Sequence, residues 1–484
     1  MAAQARAKPE GLALTFREER WCYRELHAAV DVWCAKLAVW GLKPGEILAT
    51  HLPNVPTHVM LVYAAARLSL VLAPLNIRLT VAELAAQLAH LRPAALICND
   101  AGMRDASAGH ASSAVTLAQL ASLNLQSPIS NLQFANSFAL ENTQAIVFTS
   151  GSTGVPKGVE LSFGNHFYSA VASASRLGTL PEDCWLSCLP LFHVGGLAII
   201  FRACLYGITV ALHERFDLDA INAALDTQPI TLISLVPTML KRLMETRERF
   251  PTSLRLVLLG GAAADEALLQ TCVQRGIPVA PTYGLTEAAS QVTTLAPQEA
   301  AQKIGSVGKP LLFTQVRVVD EAGHDVPPSE IGEVGVRGPT VMRGYFNNPE
   351  ATARAINPNN ELRTGDLGYL DADGDLWIVQ RRSDLIVTGG ENVFPAEVER
   401  ALRQHPAVSE ALVVGLPDAE WGQRVAALVV LKEGTEFTVD EIIADARLRL
   451  AGYKLPRLVR FVAHLPMLAS GKLDRVAARS LLEN

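Results

Sequence analysis

The sequence predicts an α/β and α+β protein. A large N-terminal domain of parallel-sheet α/β subdomains carries a small β-barrel-like part, and a small α+β C-terminal domain follows. Three observations predict this. Residues 217–287 alternate short apolar runs with amphipathic helical patterns, which implies a parallel sheet with right-handed crossovers. From about 306 to 380 short alternating runs are separated by Gly, Pro and Asp, as in a small antiparallel sheet or barrel. After about 382 helices and strands interleave in one compact stretch.

Taken in order, Ala145 to Phe148 is a short apolar run that reads as a buried strand. Asp217 caps a helix with Leu218, Ile221 and Leu225 on one face. Thr231 to Val236 is a strand, and Pro237 opens a helix from a favoured first-turn position. Leu256 to Leu259 is a second strand, ending at Gly260 and Gly261. The chain is helical from Asp265 and extended again from Pro278 to Thr282. Ligands of parallel sheets sit beyond the carboxyl ends of the strands, where Gly260, Gly261 and Tyr283 fall. Gln315 to Val319 and Glu333 to Arg337 belong to the barrel-like part. The polar stretch Arg381-Arg382-Ser383-Asp384 separates a large domain, 1–381, from a small one, 382–484. In the small domain we expect a helix around 395–404 and strands near 408–415 and 425–431. A second helix covers about 438–450, and a last strand lies near 458–463.

A chain of 484 residues implies roughly two to four structural units. With 49% hydrophobic and 19% charged residues it is globular, not disordered. A net charge of −6 supplies no basic field for nucleic acid, so any anion site must concentrate its cations locally. The seven cysteines, at 22, 34, 98, 184, 188, 204 and 272, form no metal-ligand pattern and read as reduced core thiols. There is no secretory h-region, and the apolar stretches near 57–75 and 196–212 are interrupted by Arg67 and Arg202. The expectation is a cytoplasmic enzyme with no membrane span.

The richest chemistry lies in Thr149-Ser150-Gly151-Ser152-Thr153-Gly154-Val155-Pro156-Lys157-Gly158. Glycines allow close backbone approach, hydroxyls donate, and a lysine follows, as in a loop that holds phosphates. Its spacing is not that of a Walker A loop. In Thr282-Tyr283-Gly284-Leu285-Thr286-Glu287 an aromatic face suits adenine, Thr286 can bond a phosphate, and Glu287 is a hard oxygen donor for Mg²⁺. Standing alone, each segment also reads as an ordinary turn. Asp366 in Thr364-Gly365-Asp366 would otherwise be a turn-capping residue, and Lys472 in Ser470-Gly471-Lys472 a solvated surface charge.

Together and in this order, the motifs resemble those of the adenylate-forming superfamily, which contains acyl- and aryl-CoA ligases, luciferases and peptide-synthetase adenylation domains. The resemblance runs from about Tyr23 to Lys472. It implies ATP, Mg²⁺ and CoA as cofactor and co-substrates, and a carboxylate activated as its adenylate before thioester formation. Thr149, Ser150, Gly151, Ser152, Thr153, Gly154 and Lys157 would hold phosphates; Thr282, Tyr283, Gly284, Asp366 and Arg381 would hold the nucleoside. Gln380 stands where the family usually has Gly before that arginine, and Ser470 where it usually has Asn. The resemblance gives Lys472, Thr286 and Glu287 catalytic positions. It places His193, in Pro190-Leu-Phe-His-Val-Gly-Gly196, in the carboxylate pocket rather than as a general base. Gly389, Gly390 and Trp421 would lie beside the CoA pantetheine, and the small domain would swing about 382–384.

The Pro-Leu-Phe-His run, Asn165-His166 and Ser290-Gln291 are most similar to the o-succinylbenzoate–CoA ligase branch, which serves menaquinone or phylloquinone biosynthesis. That implies a pocket built from Gly260, Gly261, Ser290 and Gln291 for a substrate with a second carboxylate. Three alternatives remain open: another aryl- or acyl-CoA ligase, an enzyme loading a carrier protein, and a catalytically silent nucleotide-binding regulator. A homo-oligomer is also left open.

Overall fold

The structure is a computed structural model that describes residues 1–106, 109–123, 138–149, 156–264, 266–380, 385–432, 434–435, 437–467 and 473–483. Its contacts gather into two compact units. The first takes in Met1–Ile77, the described parts of 88–148, and the described parts of 158–380; the second takes in 78–87 and the described parts of 149–157 and 381–484.

The first unit contains three sheets. In the nine-stranded sheet the order runs Lys309–Pro310, Ser290–Thr294, Val279–Leu285, Leu256–Leu259, Leu232–Leu235, Cys184–Ser187, Thr209–Leu212, Leu12–Phe16, Glu19–Cys22. Its strands from Val279–Leu285 to Leu12–Phe16 are parallel, with antiparallel additions at both edges. The expected alternation over 217–287 is present. Asp217 caps the helix Leu218–Thr227 by accepting from the Ala220 amide at 3.1 Å, and Ile221 and Leu225 are buried. Pro237 opens the helix Pro237–Thr246, whose Leu240 and Leu243 pack into the same core. The interior strands Leu232–Leu235 and Leu256–Leu259 are buried throughout, because helices cover both faces of a parallel sheet.

A seven-stranded sheet follows the order Gly344–Tyr345, Lys157–Ser162, Thr143–Thr149, Val71–Pro74, Ile47–His51, Ala95–Cys98, Ala114–Thr116. The apolar stretch near 57–75 resolves into the helix Pro56–Arg67 and the strand Val71–Pro74. That near 196–212 becomes the helix Val194–Tyr206 and the strand Thr209–Leu212. Among the described residues no helix is long and apolar enough to cross a membrane. All seven cysteines are free, five of them buried.

The third sheet is antiparallel, a small half-barrel of Gln315–Val319, Gly332–Arg337, Glu361–Leu370 and Leu376–Gln380. It does not use all of 306–380. Lys309–Pro310 and Gly344–Tyr345 instead extend the two larger sheets, two-residue strands too short to carry a sequence period.

The second unit has a five-stranded sheet: Glu391–Val393, Ile386–Thr388, Gly422–Leu431 and Val408–Asp418 in that order, with Leu458–Phe461 parallel to Gly422–Leu431. The helix Pro395–Arg403 covers it, burying Val398 and Leu402 against Val408, Val413 and Val425. The expected helix over 438–450 is shorter, Val439–Ala446, and is capped by Thr438, which accepts from the Glu441 amide. A C-terminal helix, Arg475–Glu483, and the hairpin of Ile386–Thr388 with Glu391–Val393 complete the unit.

Candidate active site

The carboxyl end of Val279–Leu285 carries the densest group of predicted residues. Tyr283 is buried and donates from its hydroxyl to Asp366 Oδ2 at 2.6 Å. A hydroxyl given to a carboxylate is a charge-assisted bond. Asp366 lies in Glu361–Leu370, and its turn is set locally. Thr364 Oγ1 donates to the Val334 carbonyl at 2.7 Å and accepts from the Asp366 amide at 3.1 Å. Two motifs more than eighty residues apart in sequence therefore meet at one pair of side chains.

After Leu285 the chain makes a single 3₁₀ turn, Thr286–Ala288, and returns antiparallel as Ser290–Thr294. The crossing is so tight that a Cβ at Gly284 would lie 1.8 Å from the Ser290 carbonyl oxygen. Glu287 is held at the apex. Its Oε1 accepts from the Tyr345 hydroxyl at 2.9 Å, and its carbonyl accepts from the Met342 amide at 2.8 Å. A nearly buried carboxylate with one oxygen so fixed fits Mg²⁺, which takes a few carboxylate oxygens and shares the rest of its shell with phosphates. The other acidic group, Asp371, Asp373 and Asp375, is occupied by lysines. Lys303 reaches Asp371 at 2.8 Å and Asp373 at 2.6 Å, and Lys309 reaches Asp375 at 2.7 Å. The Thr282 hydroxyl is used within the sheet, donating to the Thr293 carbonyl at 2.7 Å and lying 2.9 Å from Thr294 Oγ1.

His193 is the N-cap residue of Val194–Tyr206. The loop before it is clamped by Asn54, which donates to the Leu189 carbonyl at 2.9 Å and accepts from the Leu191 amide at 3.0 Å. Further along this helix lies a residue that sequence reading treated only as an interruption. Arg202 is 2% exposed; it donates to Ser169 Oγ at 3.2 Å, and its Nε has no partner among the described residues. No described carboxylate pairs with it. Ser169 donates in turn to the Ala289 carbonyl at 2.7 Å. His166 is buried, and its Nε2 has no partner among the described residues; burial, and to a lesser extent the charge of Arg202, push its pKa down to about 3. Gln291 is buried too, its Nε2 donating to Thr294 Oγ1 at 2.9 Å while Oε1 has no partner among the described residues. Gly260 and Gly261 follow the end of Leu256–Leu259, and Ser290 opens Ser290–Thr294. A buried cation with no acid among the described residues is costly unless an anion joins it.

In the second unit Gly389 and Gly390 form the two-residue turn between Ile386–Thr388 and Glu391–Val393, with φ of +57° and +84°. The Gly389 amide donates to the Trp421 carbonyl at 2.8 Å, and a Cβ there would lie 2.6 Å from the Trp421 ring. The Arg457 guanidinium sits 4.4 Å from the ring centroid on the same indole. The Gly389-Gly390 pair and Trp421, separate in sequence, thus come together, and Arg457 joins them. Thr149 and Lys157 are the last and first residues of Thr143–Thr149 and Lys157–Ser162. Ser150, Gly151, Ser152, Thr153, Gly154, Arg381 and Lys472 lie outside the described residues.

Residues 1–346 match the AMP-binding enzyme family, and residues 397–472 match the AMP-binding enzyme C-terminal domain. A 2-succinylbenzoate–CoA ligase of Bacillus cereus is 42% identical over 98% of this chain and 96% of its own length. Among solved structures, a double mutant of o-succinylbenzoate CoA synthetase from Bacillus subtilis, bound with its product analogue OSB-NCoA, is 37% identical. It covers 99% of this chain and 98% of that one, with a TM-score of 0.95. The same Bacillus subtilis enzyme has been solved with the acyl-adenylate intermediate OSB-AMP. That structure is 37% identical, covers 100% of this chain and 97% of that one, and has a TM-score of 0.77. Its complex with ATP and magnesium ion is 37% identical over 100% of this chain and 98% of that one, also at 0.77.

Proposed function

Since the chain belongs to the AMP-binding enzyme family, we propose that it joins 2-succinylbenzoate to coenzyme A at the expense of ATP, in the service of menaquinone or phylloquinone synthesis. The reaction has two steps. The substrate carboxylate attacks the α-phosphorus of ATP, giving an acyl-adenylate and pyrophosphate. The CoA thiolate then attacks the acyl carbonyl, giving the thioester and AMP.

The observation that carries the choice of substrate is the Arg202 guanidinium, buried with Ser169, beside His166 and with no acid paired to it among the described residues. A plain fatty acid has nothing to offer it. 2-Succinylbenzoate does: while the succinyl carboxylate reacts, the benzoate carboxylate pairs with Arg202. The neutral His166 and the amide of Gln291 add polar surface without competing charge. His193, Gly260, Gly261 and Ser290 are assigned to the rest of the acyl pocket.

The first step needs no general base, because a carboxylate is already ionised at neutral pH. Its demands are alignment and neutralisation of charge on the phosphoryl oxygens. We assign that work to Thr149, Ser150, Gly151, Ser152, Thr153, Gly154 and Lys157 at the β- and γ-phosphates, with Thr286 nearby. Glu287, steadied by Tyr345, would hold Mg²⁺, which supplies Lewis-acid neutralisation of phosphate oxygens when bound. Thr282, Tyr283, Gly284, Asp366 and Arg381 are assigned to the nucleoside. Lys472 would span the attacking carboxylate and the α-phosphate. Gly389, Gly390 and Trp421 would flank the pantetheine, brought into use by rotation about 382–384. We also propose a cytoplasmic setting, in keeping with seven free thiols.

A pyrophosphate-release screen over a panel of carboxylates, with and without CoA, tests the proposal. 2-Succinylbenzoate should be the preferred acid and give a CoA thioester. Efficient turnover of benzoate or a fatty acid, with 2-succinylbenzoate ignored, would refute it.

A further inference from the structure

Ser169 touches neither of the reacting groups assigned above, yet it lies between the two sides of the site. Its hydroxyl accepts from Arg202 Nη2 at 3.2 Å and donates to the Ala289 carbonyl at 2.7 Å, and the side chain is 2% exposed. A hydroxyl has one hydrogen to give, so the arginine fixes its direction: with Arg202 as donor, that hydrogen is free for Ala289. Ala289 and Ser290 both sit at left-handed φ, +52° and +97°, in a turn where neither is glycine. Such residues are strained and persist only where their surroundings hold them. Two residues before Ala289 is Glu287; two after it is Gln291.

We infer that Ser169 is a positioning residue that makes the Glu287 turn depend on the acyl pocket. It pins the strained Ala289–Ser290 corner, so that Glu287 and Gln291 are placed together, and it is itself oriented by Arg202. When Arg202 takes the second carboxylate of the substrate, its guanidinium is fixed by two partners, and the bond from Ser169 to Ala289 is fixed with it. An acid without that carboxylate leaves the arginine, and hence the corner, less constrained. This role rests on the assignment of Arg202 to the second carboxylate.

The test compares Ser169→Thr, which keeps the hydroxyl, with Ser169→Val, which replaces it by a methyl group at nearly the same volume; Ser169→Ala is a third variant. Two acids are used: 2-succinylbenzoate and 3-benzoylpropanoate, which lacks the ring carboxylate. In wild type the first should be strongly preferred in kcat/KM. Ser169→Val and Ser169→Ala should narrow that preference by about tenfold or more, and Ser169→Thr should restore it. Calorimetric titration without nucleotide or metal gives a readout independent of turnover. There the Val and Ala variants should bind 2-succinylbenzoate about tenfold more weakly and 3-benzoylpropanoate as wild type does. A wild-type preference kept intact in Ser169→Val, or equal losses for both acids in the Val and Thr variants, overturns the role of Ser169. Wild-type indifference to the ring carboxylate overturns the Arg202 assignment, and the coupling with it.

Discussion

The Tyr283 hydroxyl donates to Asp366 Oδ2 at 2.6 Å, joining the carboxyl end of a strand in the nine-stranded sheet to a strand of the antiparallel half-barrel. Both side chains are buried, so the carboxylate cannot replace the lost donor easily with water. Tyr283→Phe should therefore lower stability by about 1.5–3 kcal/mol, the range for a hydrogen bond to a charged group. It should also raise the KM for ATP more than the KM for the acid. Urea unfolding and a two-substrate kinetic matrix check both parts.

Arg202→Leu separates function from stability. Replacing a buried cation that has no acid among the described residues with an apolar side chain should leave the melting temperature unchanged or raise it. Activity should move the other way: kcat/KM for 2-succinylbenzoate should fall on the order of 100-fold, while that for 3-benzoylpropanoate changes little. Thermal melting and pyrophosphate release on the same preparations measure the two effects.

Lys472→Ala addresses the division between half-reactions. As the cation between carboxylate and α-phosphate it serves adenylation alone, so its loss should slow pyrophosphate release by about 100- to 1000-fold. Thioester formation from a supplied acyl-adenylate and CoA should be spared. Equal loss in both assays would contradict that division.

Stability should fall on mild acidification. Burial is the main cause holding His166 down to about 3 and His58 down to about 4, against an ordinary 6.5. His58 is neutral in the fold, hydrogen-bonded to Thr50 Oγ1 at 3.0 Å and the Pro53 carbonyl at 3.1 Å. Below pH 6.5 the unfolded chain binds protons that these rings refuse in the fold. Their contribution is complete above that pH and is lost toward pH 4, at about 1.4 kcal/mol per pH unit for each ring. Unfolding free energies from pH 7 to pH 4.5 should show this slope, and His166→Phe should remove one ring's share of it.

Much of this was legible in the sequence because it is local. Asp217 as a cap, Pro237 as a first-turn residue and Leu256–Leu259 as a buried strand each follow from a few neighbouring residues. Gly284 and Glu287 were legible as a motif, although only the structure gives the reason for the glycine, its contact with Ser290. Arg202 was not legible. On a helix whose other residues are almost all apolar it read as a break in a hydrophobic run. Its meaning comes from Ser169, thirty-three residues earlier, and from Ala289, a further 120 from Ser169. Tyr345 was missed for the same reason, since its bond to Glu287 spans fifty-eight residues. Strands of two residues and the hairpin around Gly389 carry too little pattern to be seen without their partners.

A single-turnover experiment tests the central claim most directly. Enzyme in excess over 2-succinylbenzoate is mixed with ATP and Mg²⁺ but no CoA, quenched, and examined by mass spectrometry; CoA is then added to a second portion. The predicted result is 2-succinylbenzoyl-adenylate with one equivalent of pyrophosphate, converted on addition of CoA to the thioester and AMP. Formation of ADP and phosphate, or a thioester that appears without any adenylate preceding it, would contradict the mechanism.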